Sequence, residues 1–280
     1  MRARFTFVAL TALLATTLSA CGSSSDTVVD KAKNDKKLVI GIKTDQPGLG
    51  LQTASGYTGF DVDVANYIAK KLGADKVEFK KTTSDVREQF IEQGDVDLVL
   101  ATYSINDERK KRVSFAGPYL ITGQDILVKA DNTSITGLES LKDKTVCGAA
   151  GSNSPKRIAA KFGGSEDIAN DWGKAHLKIL NGYGLCLPDL AAGKVDAVST
   201  DATILAGFAA QEPGKFKIVG QPFSTEKYGV GLKKDDKKSR DAINDAIEAM
   251  YKDGAWKAAI DKNFGEFGKL FTTPPPVERY

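Results

Sequence analysis

Apolar positions along the chain alternate between short runs with strand character and longer stretches with helical spacing. The strand-like runs cover residues 38–42, 77–80, 96–101, 124–128, 145–148, 177–180, 195–199, 216–219 and 228–232. Between the first two runs, Phe60, Val64, Ile68 and Leu72 recur at helical spacing, and this stripe stops at Gly73. Strands that alternate with amphipathic helices indicate an α/β protein whose sheets are mainly parallel.

The start of the chain has the composition of an export signal. Two arginines are followed by an apolar stretch over residues 5–18, which is too short to cross a hydrocarbon core of about 30 Å. The segment Leu18-Ser19-Ala20-Cys21 resembles the lipobox of bacterial lipoproteins, in which the cysteine is acylated and becomes the new N-terminus. We therefore expect a signal peptide over 1–20 and an extracytoplasmic protein that touches the cell membrane only through acyl chains such as palmitate on Cys21. A plain secretory signal is the alternative.

The residues after Cys21 predict a tether. Residues 22–37 are small, polar and charged, and they show no helical spacing. Fully extended, this stretch would reach about 50–55 Å. The folded part, from residue 38 onward, is therefore expected to lie near a membrane without being embedded in it.

Charge and residue counts exclude several classes of function. Lys and Arg number 39 against 36 Asp and Glu, so the net charge is +3. This balance offers no electrostatic reason to bind nucleic acid or a membrane surface. A single histidine, His176, excludes metal sites built from several histidines. We expect no metal, no cofactor and a monomer.

Two cysteines remain after Cys21, at Cys147 and Cys186. In an exported protein an even number of cysteines favours a disulfide, with two buried thiols as the alternative. In the chain-entropy description, a disulfide that closes a loop of about 40 residues contributes about 4 kcal/mol of stability.

Polar and charged side chains cluster directly after the predicted strands, which is where open α/β sheets bind their ligands. They are Lys43 after the first strand, Ser84 and Arg87 after the second, Thr102, Ser104 and Arg109 after the third, Ser152 and Asn153 after the fifth, and Asp201 after the seventh. The predicted helix start after Gly151 would also favour an anion through its backbone N–H groups.

Three segments resemble the bacterial extracellular solute-binding proteins of family three, the amino-acid receptors of ABC importers. They are 59–69 (GFDVDVANYIA), 104–109 (SINDER) with 115–119 (FAGPY), and 195–201 (VDAVSTD). The resemblance extends over about 38–267 and implies the type II periplasmic-binding fold, in which two α/β lobes close around one amino acid. The implied division is 38–125 and 223–267 for lobe one, 126–222 for lobe two, and 268–280 for a tail on the surface.

The resemblance also implies a role for each matching residue. Arg109 would hold the ligand α-carboxylate, assisted by the hydroxyls of Thr102 and Ser104 and by the backbone of Ala101. Asp201 would pair with the α-ammonium group. These roles describe a receptor that takes up a free amino acid and delivers it to the permease subunits of an ABC transporter, without a catalytic residue.

Two further features concern lobe two. Ser152 and Asn153 would close onto a ligand carboxylate from the start of a helix, although Asn153 stands where the family usually has threonine. Cys147 and Cys186 lie where a subset of the family carries a disulfide within this lobe.

Ligand specificity is expected from Lys43, Ser84 and Arg87. These three resemble the acidic-amino-acid receptors of the family, in which a cation and a Ser-x-x-Arg segment grip the side-chain carboxylate of the ligand. Receptors for glutamine and basic amino acids have aspartate at the position of Lys43. The resemblance therefore favours glutamate, with aspartate as a second ligand.

A charge count leads to the same ligand. Lys43, Arg87 and Arg109 against Asp201 give the pocket a charge of +2, and glutamate brings two carboxylates and one ammonium. Glutamine would leave a cation desolvated and unpaired, at a cost of several kcal/mol. A nearby acidic residue, Asp45 or Asp85, would reduce this excess if it neutralised a cation.

Other interpretations stay open at this point. The chain could bind glutamine or another polar amino acid, or it could act as an amino-acid sensor. It could also be a dehydratase-type enzyme, since some relatives on this fold are dehydratases and need an acid or base in the cleft. A structural or adhesive lipoprotein is a further alternative.

Overall fold

Two five-stranded sheets, each covered by helices, divide the described chain into two lobes. The computed structural model describes residues 27–280. The predicted signal peptide, Cys21 and the first residues of the predicted tether lie outside the described residues.

The secondary-structure elements follow the α/β alternation that the apolar pattern predicts. The helices of residues 27–280 are α1 (Val28–Asn34), α2 (Phe60–Leu72), α3 (Arg87–Gln93), α4 (Asp107–Arg112), α5 (Asn153–Gly163), α6 (Asp171–His176), α7 (Cys186–Ala191), α8 (Ala202–Gln211), α9 (Lys237–Lys252) and α10 (Ala255–Phe264). The strands are β1 (Lys37–Ile42), β2 (Asp45–Gln46), β3 (Gly50–Thr53), β4 (Gly56–Thr58), β5 (Lys76–Lys81), β6 (Leu98–Leu100), β7 (Ser114–Thr122), β8 (Gln124–Lys129), β9 (Val146–Ala149), β10 (Leu177–Leu180), β11 (Ala197–Asp201), β12 (Phe216–Ile218) and β13 (Glu226–Leu232). Short 3₁₀ turns cover Leu138–Leu141, Tyr183–Leu185 and Gly265–Leu270.

Both large sheets are mixed, whereas the sequence pattern indicated mainly parallel ones. In the first lobe the strand order is β5-β1-β6-β13-β7, and β13 runs antiparallel to β6 and β7. In the second lobe the order is β10-β9-β11-β8-β12, and β8 runs antiparallel to β11 and β12. The two antiparallel strands, β8 and β13, directly follow the two places where the chain crosses between the lobes. The prediction of mainly parallel sheets is therefore correct only for β5-β1-β6 and for β10-β9-β11.

Strand β7 was missing from the predicted strands. Its sequence contains Gly117-Pro118, a pair that normally ends a strand. The strand tolerates proline because β7 lies at the edge of its sheet, where a missing backbone N–H leaves no neighbouring strand unpaired.

The prediction of a flexible tether is wrong over 28–34, where the chain forms α1. Thr27 caps this helix by accepting a hydrogen bond from the N–H of Asp30, and Val28, Val29 and Ala32 are buried against the first lobe. The N–H of Val29 also donates to the hydroxyl of Ser239, at 3.0 Å. Three small apolar residues in a polar stretch are too few to show a helical period, so only their burial reveals the helix.

The C-terminal segment lies along the surface of the first lobe. The N–H of Glu278 donates to the carbonyl oxygen of Gly117 at 2.9 Å, and Arg279 pairs with Asp245 and Glu248 on α9. These contacts bind the proline-rich tail to β7 and α9 of that lobe.

Cys147 and Cys186 form a disulfide that joins β9 to the start of α7, so the predicted pairing is confirmed. It lies within the second lobe and is fully buried. No helix among residues 27–280 combines the length and the apolar character that a membrane span requires.

Candidate ligand-binding site between the lobes

A polar cavity lies where the carboxyl ends of the strands of both lobes face each other. Its lining comprises Ser84, Arg87, Thr102, Ser104, Arg109, Gln124, Ser152, Asn153, Ser154, Tyr183, Thr200, Asp201 and Ile204. Eight of these were predicted from the sequence. Two predicted residues, Lys43 and Ala101, do not line the cavity but hydrogen-bond to residues that do. Five lining residues were not predicted: Gln124, Ser154, Tyr183, Thr200 and Ile204.

Arg109 points into this cavity from α4 and retains unused hydrogen-bonding capacity. One η nitrogen donates to the carbonyl oxygen of Ser104 at 2.7 Å, and the other donates to that of Gly151 at 3.2 Å. Burial, together with the nearby charge of Arg87, lowers the pKa of the guanidinium to about 10. Since a guanidinium has five N–H donors, both η nitrogens keep a donor for an anion.

Arg87 is also buried, but most of its donors are already engaged. Its ε nitrogen donates to the Ser84 carbonyl at 3.3 Å, and one η nitrogen donates to the carbonyls of Ala101 and Thr102 at 3.1 and 3.3 Å. The other η nitrogen donates to the carbonyl of Gly151 at 3.4 Å. Its guanidinium also lies 4.3 Å from the centre of the Tyr103 ring, which is within cation–π distance.

Lys43 reaches the cavity through Ser84. Its ammonium donates to the Ser84 hydroxyl at 2.7 Å, and both side chains are buried. Burial lowers the pKa of Lys43 to about 7, and the positive charge of Arg87 adds to this effect. Lys43 therefore titrates near neutral pH.

Asp201 ends β11 on the opposite side of the cavity. Its carboxylate accepts a hydrogen bond from the hydroxyl of Tyr228 at 2.6 Å. Burial, together with the neighbouring Glu226 carboxylate, raises the pKa of Asp201 to about 7. A cation brought into this position would favour the ionised form of Asp201.

The second lobe contributes the start of α5 to the cavity. The Ser152 hydroxyl donates to the carbonyl of Ala149 at 2.8 Å and shares a hydrogen bond of 2.7 Å with the hydroxyl of Tyr183. The side-chain oxygen of Asn153 accepts from the side-chain amide of Asn106 at 3.1 Å, which is a contact between the lobes. Gly151 has φ +71°, and an added Cβ would lie 2.4 Å from Cα of Asp85, so the close approach of the lobes here requires glycine.

Glu88, a buried acid that was not among the predicted site residues, changes the net charge expected for the cavity. The Glu88 carboxylate lies 3.4 Å from the ε nitrogen of Arg109, and both side chains are nearly buried. Glu88 was hidden within the amphipathic pattern of α3, so no local signal marked it. With this acid included, the predicted excess of +2 becomes +1.

The two acids that could have neutralised a cation hydrogen-bond to other groups, although the charge of each raises the pKa of Lys43. The carboxylate of Asp45 accepts a hydrogen bond from the N–H of Gly184 in the second lobe at 3.1 Å. The carboxylate of Asp85 accepts one from the hydroxyl of its neighbour Thr83. Among residues 27–280 neither acid forms an ion pair with Lys43, Arg87 or Arg109.

Asp61 supports the cavity from behind, although it was singled out only as part of the 59–69 segment. Its carboxylate accepts from the N–H of Thr102 at 2.9 Å and from the hydroxyl of Tyr119 at 2.8 Å. Thr102 has φ +46°, an unusual conformation for a residue with a Cβ. The bond from Asp61 therefore holds Thr102 in a strained conformation at the edge of the cavity.

Metal binding and histidine chemistry find little support in the described residues, whereas Asp201, with its pKa raised to about 7, is the kind of acid or base that the dehydratase-type alternative needs. No three His, Cys, Asp or Glu side chains within residues 27–280 are placed to hold a metal ion together. His176 stacks on Trp172 with ring centres 4.9 Å apart, and it is not part of the cavity lining. The cavity instead offers guanidinium and hydroxyl donors on one side and a carboxylate on the other.

The chain is similar to proteins of one family. The family model described as bacterial extracellular solute-binding proteins, family 3, matches residues 38–266. A glutamate-binding protein, GluB, from Corynebacterium glutamicum is 40% identical over 271 residues, which cover 91% of this chain and 88% of that relative. The ABC transporter glutamine-binding protein GlnH from Bacillus subtilis is 33% identical over 260 residues, covering 88% and 91% of the two chains.

A solved structure with the same fold is that of an ancestral arginine-binding protein bound to arginine. Its TM-score is 0.74 at 38% sequence identity, and the match covers 82% of this chain and 99% of that one. The two-lobe arrangement described above is therefore that of known amino-acid-binding proteins.

Proposed function

Since this chain belongs to the bacterial extracellular solute-binding proteins, family 3, we propose that it is the receptor of an ABC importer and captures glutamate outside the cytoplasm. Its two lobes close around the amino acid and present it to the permease subunits. The similarity to a glutamate-binding protein over most of both chains supports glutamate as the ligand. The receptor acts as a monomer, with lobe one formed by 38–125 and 223–267 and lobe two by 126–222, except that Gln124 and Asp125 pair with β11 and so belong to lobe two, and that α1 packs on lobe one.

The observation that carries this proposal is the charge pattern of the cavity. Three cations, Lys43, Arg87 and Arg109, stand with two carboxylates, Asp201 and Glu88. These five groups sum to +1, with Asp61 and the Arg157–Glu226 pair lying beyond them, and the two carboxylates and one ammonium of glutamate sum to −1. Glutamine has no net charge and would leave one buried cation without a partner.

In the complex, each group of the ligand has its own partners. The α-carboxylate binds Arg109 together with the hydroxyls of Thr102 and Ser104, near the backbone of Ala101. The ammonium pairs with Asp201. Ser152 and Asn153 complete the cage from the second lobe at the start of α5.

The side-chain carboxylate is assigned to Ser84 and Arg87, with Lys43 behind them. Arg87 keeps one N–H donor beyond its four bonds to carbonyl oxygens, which is enough for one charge-assisted hydrogen bond. Protonated Lys43 donates to Ser84 and thereby orients the serine hydroxyl toward the ligand.

Glutamine is the second candidate, and two observations favour it. Most donors of Arg87 are occupied by backbone carbonyls, and the pKa of Lys43 is lowered to about 7, so the positive charge facing the side chain is weaker than the count suggests. A glutamine-binding protein is also among the similar chains.

Calorimetric titration of refolded protein starting at residue 22 separates the two ligands. We expect glutamate to bind at least a hundredfold more tightly than glutamine, with aspartate, asparagine and arginine also tested. In the variant Lys43→Met, glutamate affinity should fall far more than glutamine affinity, because only glutamate carries the second carboxylate. Equal losses, or a parent that prefers glutamine, would contradict the glutamate assignment, and a folded parent that binds none of the five would contradict the receptor itself.

We further propose that the receptor is anchored by lipid on Cys21 and performs no chemistry on its ligand. The variant Cys21→Ser should shift the protein from the membrane fraction to the medium, which fractionation and mass spectrometry of the N-terminus can check. The placement of His176 outside the cavity supports binding without catalysis. Recovery of chemically altered glutamate after incubation would favour the dehydratase-type alternative.

A further inference from the structure

We propose that four residues outside the ligand cavity form a latch that holds the closed lobes together and sets how long the ligand stays bound. The latch consists of Asp45 and Pro47 in the first lobe and Gly184 and Gly207 in the second. The inference deepens the proposed receptor function and rests on it for the identity of the ligand. None of the four residues contacts a ligand-binding group directly, although the charge of Asp45 raises the pKa of Lys43. The steric half of the latch, Pro47 and Gly207, is therefore the part that is independent of the ligand.

The first half of the latch is polar. The carboxylate of Asp45, on the short strand β2, accepts a hydrogen bond of 3.1 Å from the backbone N–H of Gly184. Gly184 lies in the 3₁₀ turn Tyr183–Leu185 of the second lobe. The bond therefore joins two segments 139 residues apart, and it can exist only while the lobes are closed.

The second half of the latch is steric. Gly207 lies in α8, and an ideal Cβ placed on it would be 2.1 Å from the carbonyl oxygen of Pro47. Real Cβ atoms never approach backbone oxygen so closely, so glycine is required at this position for closure. Within a helix glycine is otherwise unfavourable, because alanine has the higher helix propensity.

The latch is separate from the cavity yet connected to it. None of its four residues belongs to the cavity lining, whereas Tyr183, next to Gly184, and Ile204, one helical turn before Gly207, both do. The same turn and the same helix therefore contact the ligand on one side and the first lobe on the other. A ligand that positions Tyr183 and Ile204 also positions the two latch glycines.

In this arrangement the cavity determines which ligand binds, and the latch contributes to how tightly it binds. Contacts in the cavity select the ligand, while the latch stabilises the closed state for every ligand that allows closure. Loss of the latch should therefore lower the affinity for every ligand by the same factor. The loss should appear mainly as faster dissociation, because the latch forms only after the ligand is in place.

The test compares the parent with Gly207→Ala, and uses Gly137→Ala as the matched control. Gly137 is also in the second lobe, but an added Cβ there meets no atom within 4 Å. We expect Gly207→Ala to lower the affinity for glutamate, and for any weaker amino-acid ligand, by about tenfold or more. The association rate and the thermal midpoint without ligand should stay near those of the parent, which a variant that merely damaged the fold could not achieve.

Small-angle X-ray scattering, measured with and without saturating glutamate, supplies the second readout. The parent and Gly137→Ala should contract on adding glutamate, whereas Gly207→Ala should contract less. Asp45→Ala removes the polar half and should show the same effect in milder form. Equal contraction and equal affinity of the parent and Gly207→Ala would overturn the latch and leave the receptor function intact.

The remaining outcomes are also decisive. A parent that binds no amino acid but scatters as the closed form, and that opens in Gly207→Ala, would refute the proposed ligand and support the latch. A parent that scatters as an open molecule under every condition would overturn both.

Discussion

Arg109 and Arg87 contact the same tyrosine ring, yet they are suited to different tasks. Both guanidinium groups lie within about 5 Å of the centre of the Tyr103 ring, and both donate to the carbonyl oxygen of Gly151. Arg87 donates its other hydrogen bonds to three more backbone carbonyl oxygens, so it mainly stabilises the wall of the cavity. Arg109 keeps a donor on each η nitrogen, as a bidentate carboxylate partner requires.

Replacing Arg109 by lysine should abolish most of the binding. Lysine keeps the charge but loses the planar fork, so we expect glutamate affinity to fall by about a hundredfold or more in calorimetric titration. Arg112→Lys, on the same helix but paired with Glu92 at the surface, is the matched control and should bind normally. A loss of less than threefold in Arg109→Lys would remove Arg109 from the binding role.

The shifted pKa values of Asp201 and Lys43 predict how glutamate binding depends on pH. Asp201 has a pKa of about 7 and must be ionised to pair with the ligand ammonium, so affinity should fall as the pH drops below 7. Lys43 also has a pKa of about 7 and must be protonated to assist the side-chain carboxylate, so affinity should fall as the pH rises above 7. Each limb should be no steeper than about tenfold per pH unit, since one proton is involved.

Titrations between about pH 5.5 and 8.5 check this bell-shaped dependence. In Lys43→Met the alkaline limb should flatten while the acidic limb remains, because Asp201, and Asp61 with its pKa raised to about 6, still titrate. An affinity that is constant across this range would show that neither group changes protonation when the ligand binds.

At the level of single elements, the disulfide lies beneath the wall of the cavity. It joins β9, which leads into Gly151 and Ser152, to α7, which follows the turn that carries Tyr183. The hydrogen bond between Ser152 and Tyr183 connects the same two segments 2.7 Å apart on the cavity side. The disulfide therefore contributes to the shape of the site as well as to stability.

Removing the disulfide should destabilise the protein by about 4 kcal/mol, since the two cysteines are 39 residues apart. The double variant Cys147→Ala, Cys186→Ala should show this loss in urea unfolding. A reductant should lower the unfolding midpoint of the parent and leave that of the double variant unchanged. If the parent unfolds at the same midpoint with and without reductant, the predicted contribution of the disulfide is wrong.

Helix α5 connects the site to the crossing between the lobes. Its first turn supplies Asn153, and one turn later Arg157 donates to the carboxylate of Glu226 at 2.8 Å and to the side chain of Gln124 at 3.0 Å. Glu226 and Gln124 begin β13 and β8, the strands that follow the two crossings. The helix that faces the ligand is thus fastened to both crossing segments.

For the whole molecule, closure couples ligand binding to stability. A ligand that binds only the folded protein raises its unfolding free energy, by about 2.7 kcal/mol when its free concentration is a hundred times Kd. We expect this increase for glutamate in urea unfolding. Glutamine at the same concentration should give a smaller increase, and Arg109→Lys should show almost none. An equal increase in the parent and Arg109→Lys would place the binding elsewhere.

Most, but not all, of the residues that line the cavity could be predicted from the sequence. Arg109 and Asp201 were found because they lie in segments that resemble the family, and Ser84 and Arg87 because they come soon after a predicted strand. The structure brings all four to one cavity. The fold class was confirmed as well. Tyr183 was not found, because it reaches the cavity from a short turn that has no periodic pattern.

Local sequence patterns were enough to identify the family, the α/β alternation, the cysteine pair and most of the polar residues that line the cleft. All of these depend on local patterns or on short segments that keep their spacing wherever they fold. The tertiary structure decided the partners: Glu88 beside Arg109, Asp45 beside Gly184 and Pro47 against Gly207. Two of these pairs join segments more than a hundred residues apart and the third joins two helices, so each depends on how the elements pack, which no local pattern records. Burial, likewise a property of the packed molecule, brings the pKa of both Lys43 and Asp201 to about 7.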